Sequence, residues 1–265
     1  MQGAVKSIWR HPVKGFTPEP LEAVSLIKGQ CFPYDRLYAV EDGPSGFNPQ
    51  APEHISKQKF TVLAKIAMVA RIRTRFQEET GELEATFDDG RSIRARLTEE
   101  AGRQAFAAWL TAVLGEECRG PLQVLPAPGA YRFMDDVEGY ISIINLASVR
   151  DLSRRLGRPV DPRRFRANFY VDGWPAWAEN EASGGKVRLG ETEAVVAKPI
   201  VRCVATHVDP ETGERDLELV RGLFENYGHR FCGIYAKVTK GGRVALGDGA
   251  GLTLAAPALD AAAGA

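Results

Sequence analysis

Apolar and polar residues alternate along short segments of the first part of the chain, as they do in strands with one buried face. The first such segment spans residues 5–10. Further strand-like runs, mostly separated by turn residues, occupy residues 21–27, 37–40, 60–66, 68–76, 83–87 and 92–97. A helix follows, because apolar residues recur at helical spacing between Thr98, the predicted N-cap, and Gly115. This order predicts a closed or nearly closed sheet with one helix packed on it.

The second part of the chain follows a connection at residues 115–129 that is rich in proline and glycine. Asn145 is the predicted cap of a helix at residues 146–156, and Asp216 begins another helix that ends at Gly228. Strand-like runs occupy residues 140–144, 187–197, 201–205, 232–239, 243–246 and 251–254. The sequence therefore predicts a mainly β fold with a few helices, a β-rich α+β class.

Two units are predicted along this chain, residues 1–115 and residues 116–255, followed by a flexible alanine- and glycine-rich tail at 256–265. A chain of 265 residues is long enough for two small domains or one large domain with a substantial core.

Charge and hydropathy exclude several classes of partner. Lys plus Arg and Asp plus Glu both number 34, so no overall field favours nucleic acid or a membrane surface, and any anion site must be local. The beginning of the sequence has no apolar signal region, and no run of 18 apolar residues occurs. We therefore expect a soluble, cytoplasmic protein that binds neither nucleic acid nor membrane.

The four cysteines are scattered without any C-x-x-C spacing. This spacing argues against a zinc site, an iron–sulfur cluster and a disulfide framework. Cys203 differs from the others, because it follows Arg202 in an apolar run that leads into an acidic turn. A neighbouring cation favours a thiolate, and thiolates bind soft metals. The alternative is a buried structural cysteine beside a surface arginine.

A second candidate pair lies at Arg166 and Asn168, at the start of a strand-like run. Two residues apart in a strand, their side chains would share one face and could bind one ligand. The alternative is that Arg166 forms a structural ion pair with Asp172 or Asp161.

Several separated motifs, taken in order, resemble the MOSC family, which is named after the C-terminal domain of molybdenum cofactor sulfurase. The motifs are Lys14 after His11-Pro12-Val13, Asp35-Arg36, Phe165-Arg166-Ala167-Asn168, Val201-Arg202-Cys203, the V-D-P-E-T-G segment at 208–213 and Leu246-Gly247-Asp248. The first half of the chain resembles the N-terminal β-barrel domain that accompanies MOSC domains. The pattern is similar to the mitochondrial amidoxime-reducing component and its bacterial counterparts.

The resemblance implies an N-terminal β-barrel-like domain and a MOSC β-barrel domain that together bind molybdenum cofactor (molybdopterin). Cys203 would be the catalytic residue and the protein's ligand to the metal. The residues expected to bind the organic part of the cofactor are Lys14, Arg36, Asn145, Arg166, Asn168 and Arg202. Lys14 and Arg36 could instead be surface cations, and Asn145 could serve only as a helix cap.

The implied activity is the reduction of N-hydroxylated small molecules with electrons from a separate electron-transfer protein, since no ferredoxin-like cysteine motif occurs. Three positions depart from the family pattern: Ala167 replaces a usual proline, Ile200 a frequent cysteine and Gly15 a frequent serine. One alternative is a non-catalytic carrier of molybdenum cofactor, or of persulfide sulfur on Cys203. Another is a β-barrel interaction module without a ligand.

Overall fold

The computed structural model describes residues 1–137 and 140–255, and within them β-strands predominate, as the sequence predicts. The predicted tail at 256–265 lies outside the described residues. The described helices are α1 (Glu100–Leu114), α2 (Leu146–Leu156) and α3 (Leu219–Tyr227). The strands are β1 (Gln2–Arg10), β2 (Glu19–Leu21), β3 (Ala23–Leu26), β4 (Tyr38–Asp42), β5 (Ile72–Gln77), β6 (Glu82–Phe87), β7 (Ser92–Arg96), β8 (Leu122–Pro126), β9 (Ile141–Asn145), β10 (Phe169–Asp172), β11 (Lys186–Leu189), β12 (Thr192–Val201), β13 (Phe231–Lys240), β14 (Gly242–Ala245) and β15 (Gly249–Thr253).

Seven of these strands close into a barrel in the order β10-β9-β13-β12-β11-β15-β1, and β1 returns to pair with β10. The β9–β10 pair is parallel, and the other neighbours are antiparallel. Ile8 of β1 is opposite Phe169 of β10, and both side chains are fully buried with Ile143 and Ile234 in one apolar core. Closure leaves no exposed edge between the first and last strands of the barrel.

Strand β1 belongs to the first half by sequence but to this barrel by pairing. It joins β10 on one side and β15 on the other. The N-terminal ammonium of Met1 donates a hydrogen bond to the carbonyl oxygen of Leu252 at 2.6 Å. The barrel of the second half is therefore completed by the first residues of the chain.

The first half contains the β5–β6–β7 meander and the β4–β8 pair, with α1 packed against them. Phe106 and Leu110 of α1 are buried in the same core as Leu83 of β6. The strand predicted at residues 60–66 is wrong, since only an isolated bridge between Glu41 and Phe60 forms there. The apolar residues of that segment are buried by irregular backbone, which an apolar run alone does not distinguish from a strand.

Two helix starts also differ from the prediction. Helix α1 has Glu99 rather than Thr98 at its N-cap. Helix α3 begins at Leu219 with Glu218 at its N-cap, and the carboxylate of Asp216 accepts a hydrogen bond from Arg164 at 2.7 Å. Helix α2 follows the prediction, with Asn145 as N-cap and Gly157 ending it at φ 64°. No helix of the described chain combines the length and apolar character needed to cross a membrane.

Candidate functional site

Residues from both halves of the chain line one cleft of about 580 Å³, which includes Lys57 of the first half and Cys203 of the second. A narrower recess of about 80 Å³ adjoins it and includes Lys14 in its lining. Arg36 and Arg166 line both spaces. The structure thus places Cys203 in one lining with Arg36 and Arg166, and Lys14 in the adjoining recess.

Cys203 lies just beyond the end of β12 rather than within a strand. It precedes a 3₁₀ turn at Val204–His207, and its carbonyl oxygen accepts hydrogen bonds from the backbone N–H and the hydroxyl of Thr206, at 3.0 and 2.9 Å. These bonds fix the backbone of the loop and leave the half-buried thiol in the lining of the cleft.

Lys57 is a cleft residue that the sequence reasoning missed. Its Nζ donates a hydrogen bond to Sγ of Cys203 at 3.1 Å, although the two residues are 146 positions apart. Burial alone would lower the pKa of Lys57, but Asp135 and Cys203 outweigh that effect and hold the pKa above its usual value. Lys57 stands on a short 3₁₀ turn at Lys57–Lys59, and no local motif there signals its role.

Lys14 is only 4% exposed, so the alternative of a plain surface cation is wrong. Its Nζ donates to the carbonyl oxygen of Phe133 at 2.9 Å and forms an ion pair with Asp135. Burial lowers the pKa of Lys14, although Asp135 opposes this shift. Burial alone would raise the pKa of Asp135, but Lys14 and Lys57 hold it well below its usual range. The recess therefore carries a compact cation beside a carboxylate.

Arg36 and Arg166 both adopt the left-handed backbone conformation, at φ 48° and 53°. This conformation is costly for residues other than glycine, by roughly 1–3 kcal/mol, and such strain is concentrated at functional sites. Arg36 also forms an ion pair with Asp35, whose carboxylate accepts a hydrogen bond from the backbone N–H of His11 at 2.6 Å. Burial, with Arg36 and Arg166 nearby, lowers the pKa of His11 well below 6.5.

The guanidinium of Arg166 makes no hydrogen bond or ion pair with any residue that the structure describes. Both partners considered from the sequence are occupied, since Asp161 pairs with Arg163 and Asp172 with Arg150, each at 2.6 Å. Burial and the neighbouring charge of Arg36 lower the pKa of Arg166 to about 10. A guanidinium has five N–H donors, so this one is available to an oxygen-rich ligand in the cleft.

Asn168 lines the recess, but its side chain is already hydrogen-bonded. Its Oδ1 accepts from the backbone N–H and the hydroxyl of Ser142, at 3.0 and 2.9 Å. Its Nδ2 donates to Asp35 at 3.0 Å. Neither Arg166 nor Asn168 lies in a strand, because β10 begins at Phe169. Asn168 therefore holds the Asp35–Arg36 pair in place.

The side chains of two other candidates are hydrogen-bonded within the protein. Asn145 caps α2 and donates to Glu179 at 2.9 Å, and it is not among the residues that line the cleft. Arg202 lies at the wall, where its guanidinium donates to the carbonyl oxygens of Cys232 and Phe165, each at 2.8 Å. Through these bonds, Arg202 stabilises the loop that carries Cys203.

The cleft lining carries more cations than acids, although the chain as a whole has a formal net charge of zero. Two carboxylates, Asp135 and Asp136, line it. The cations of the lining are Arg36, Lys57, Arg164, Arg166, Lys198, Arg202 and Arg230. Arg36 is paired with Asp35, and Arg164 with Asp209 and Asp216, all outside the lining, and the remaining excess of cations favours an anionic ligand at this place.

The other cysteines have different surroundings. Burial raises the pKa of Cys232 to about 12, and burial also raises the pKa of Cys31 and of Cys118. In the described part of the chain, no group of three or more His, Cys, Asp or Glu side chains is arranged to hold a metal ion.

Comparison with known families covers most of the chain. Residues 2–121 match the model of the MOSC N-terminal beta barrel domain, and residues 130–250 match that of the MOSC domain. The chain belongs to the MOSC domain family. Cys203, Arg166 and Lys198 of the cleft lie in the segment that matches the MOSC domain, whereas Lys14, Arg36 and Lys57 lie in the segment that matches its N-terminal companion.

Individual relatives match this MOSC protein over shorter segments. Mitochondrial amidoxime-reducing component 1 of Mus musculus is 36% identical over 90 residues, which cover 34% of this chain and 25% of the relative. Molybdenum cofactor sulfurase of Caenorhabditis elegans is 36% identical over 101 residues, or 37% of this chain and 14% of the relative. The chain thus matches well under half of either relative. Among solved structures, the YuaD protein from Bacillus subtilis is similar at 14% identity and a TM-score of 0.47, over 97% of this chain and 98% of that one.

Proposed function

We propose that the cleft binds molybdenum cofactor and that the protein reduces N-hydroxylated small molecules with electrons from a separate redox protein. The family and its named relatives support a function related to molybdenum cofactor. The proposed reductase activity is supported by the similarity to amidoxime-reducing components and by the Cys203 thiol in the cleft. The observation that carries the proposal is that the Arg166 guanidinium, which no described residue pairs with, lies in the same lining as the Cys203 thiol.

The residues of the cleft fit the organic part of this cofactor. Molybdopterin carries a terminal phosphate and ring oxygens, which are the acceptors that arginine and lysine bind best. Arg166 offers donors that no described residue uses, and Arg36 and Lys14 add charge from the other half of the chain. The left-handed backbone at Arg36 and Arg166 also supports a ligand site, because backbone strain of this kind is concentrated at ligand-binding and active sites.

Cys203 fits the metal end of the cofactor, because a soft thiolate suits a metal that is already bound by sulfur. When bound, molybdenum would supply the electron pair that cleaves the N–O bond of the substrate. The chain would orient the cofactor through its cations, hold the backbone of Cys203 through the Thr206 hydrogen bonds, and hold the sulfur through Lys57. Val201 and Val204, 58% and 45% exposed, flank Cys203 and would contact the non-reacting part of the substrate.

The test is to purify the protein from a host that makes molybdenum cofactor and to measure bound molybdenum and pterin. Reduction of an amidoxime is then assayed with a reduced viologen dye as electron donor. We expect the metal, the pterin and the activity in the wild type, and no activity in Cys203→Ala. Cys118→Ala is the matched control and should resemble the wild type. Absence of both metal and pterin from the wild type would refute the proposal.

A carrier function is the second candidate, and the position of Ile200 favours it. Ile200 is buried in the cleft wall, where amidoxime-reducing members of the family often have a cysteine. A carrier would hold the cofactor, or a persulfide on Cys203, without turnover. Mass spectrometry separates the two, because a molybdenum-free protein with one additional sulfur atom on Cys203 indicates the carrier.

A further inference from the structure

Lys57 contacts the sulfur of Cys203, the proposed metal ligand, so binding of the cofactor's organic part does not account for this contact. The two residues come from different halves of the chain, and the Nζ–Sγ distance is 3.1 Å. The neighbouring cations are engaged otherwise: Lys14 donates to Phe133 and pairs with Asp135, and Arg36 pairs with Asp35. The Lys57 ammonium donates its side-chain hydrogen bond to the sulfur.

The surroundings of Lys57 favour a fixed position. The residue is half-buried, it lies on a 3₁₀ turn whose N-cap Ser56 accepts a hydrogen bond from Gln58, and it lines both the cleft and the recess. Lys59 stands on the same turn, is exposed and lines neither space. The fold therefore presents one lysine of this turn to the sulfur and the other to solvent.

We propose that Lys57 is a positioning residue which, by its hydrogen bond and charge at the Cys203 sulfur, raises the reduction potential of the metal bound there. This inference rests on the proposed function. Reduction adds negative charge to the metal and its ligands, and a cation within a few ångströms stabilises the state with more negative charge. Hydrogen bonds to ligand sulfurs and groups behind the ligands tune potentials in metal–thiolate sites generally.

A purely structural role of Lys57 would have different consequences when the residue is replaced. Lys57 could simply connect the two halves, in which case its removal would lower stability and cofactor retention together without changing the potential of the metal that remains. The reduction potential separates these roles, because it is measured only on molecules that keep the metal.

The experiment uses the molybdenum-loaded full chain in four forms: wild type, Lys57→Met, Lys57→Arg and Lys59→Met. A redox titration followed by the electron paramagnetic resonance signal of molybdenum gives the midpoint potential of each. We expect the Met variant at position 57 to be about tenfold harder to reduce, a shift of ~59 mV to lower potential for a one-electron step. The Arg variant, which keeps the charge and the donors, and the Lys59 control should lie close to the wild type.

Either of two results with these four forms would overturn the inference. One is a midpoint potential in Lys57→Met that equals that of the wild type. The other is loss of molybdenum from Lys57→Arg as well as Lys57→Met while Lys59→Met stays loaded, since a role based on charge requires the Arg variant to work. If Lys57→Met alone loses the metal, the midpoint potentials of Lys57→Gln, which lacks the charge, and Lys57→Arg, which keeps it, are compared. Equal midpoint potentials in these two variants also refute the inference. A wild type without molybdenum would instead refute the proposed function itself.

Discussion

Nη2 of Arg36 donates a hydrogen bond to the backbone carbonyl oxygen of Arg166 at 3.1 Å, so two arginines with left-handed backbones support each other across the cleft. One belongs to the first half of the chain and the other to the second. The contact uses one arm of Arg36 and only the backbone of Arg166, whose guanidinium has no partner among the described residues. This arrangement separates a residue that shapes the site from one that is available to the ligand.

Replacement of Arg166 by Met should remove cofactor without unfolding the protein. The Arg166 guanidinium makes no hydrogen bond within the described structure, so the free energy of unfolding of the cofactor-free protein should change by less than about 1 kcal/mol. Charged hydrogen bonds are worth about 1.5–3 kcal/mol, so cofactor affinity should fall by about tenfold or more. Molybdenum content and urea denaturation are the measurements. A variant that keeps full molybdenum content contradicts this expectation.

The backbone strain at Arg166 can be tested separately from its charge. Its φ of 53° is unfavourable for alanine but not for glycine. Arg166→Gly should therefore be more stable than Arg166→Ala by about 1 kcal/mol, the typical cost of this conformation. Urea denaturation of the two variants measures the difference. Equal stabilities would show that the left-handed conformation relaxes once the side chain is gone.

Deletion of residues 1–10 should prevent folding of the second-half barrel. β10 and β15 would each lose a partner, and the buried side chains of Val5 and Ile8 would be missing from the core. Circular dichroism and gel filtration should show an unfolded or aggregated chain. Moving the same residues to follow position 255 through a short turn should restore the fold, because β1 runs antiparallel to β15. A folded deletion variant would contradict the role given to β1.

Stability should depend on His11 below neutral pH. Burial and the charges of Arg36 and Arg166 lower the pKa of His11 well below its ordinary value of 6.5. Below pH 6.5 the unfolded chain binds a proton that the folded chain refuses, so stability falls as pH falls, by up to about 1.4 kcal/mol per pH unit. His11→Gln should have a shallower slope between pH 6.5 and 5 in denaturation experiments. The other histidines are present in both proteins, so a difference in the pH dependence of stability would come from His11. Identical slopes of stability against pH would contradict the role given to His11.

Asn145 should matter for stability and not for the cofactor. Asn145→Ala removes the N-cap of α2 and one donor to the buried carboxylate of Glu179. We expect a loss of about 1–2 kcal/mol in the free energy of unfolding, as for other N-cap replacements. Molybdenum content per folded molecule should stay unchanged. A selective loss of molybdenum at full stability would return Asn145 to the cofactor site.

Local pattern was a sufficient guide where one residue's role depends on its sequence neighbours. The helix at 146–156 with its Asn145 cap and its glycine end is an example. The turn at Asp209 is another, since its carboxylate accepts hydrogen bonds from the backbone of Glu211 and Thr212 at 2.8 and 3.0 Å. Apolar runs were a poorer guide, as residues 60–66 are buried without joining a sheet.

By itself, the sequence determined the β-rich class, the balance of charge, and a set of motif residues, of which Arg36, Arg166 and Cys203 line one cleft and Lys14 lines the adjoining recess. Only the tertiary structure decided that β1 completes the second-half barrel, that no described residue pairs with the Arg166 guanidinium, and that Lys57 touches Cys203. The reason is that pairing between strands, competition among charges for partners, and contact between residues 146 positions apart depend on how the whole chain packs, which no local pattern specifies.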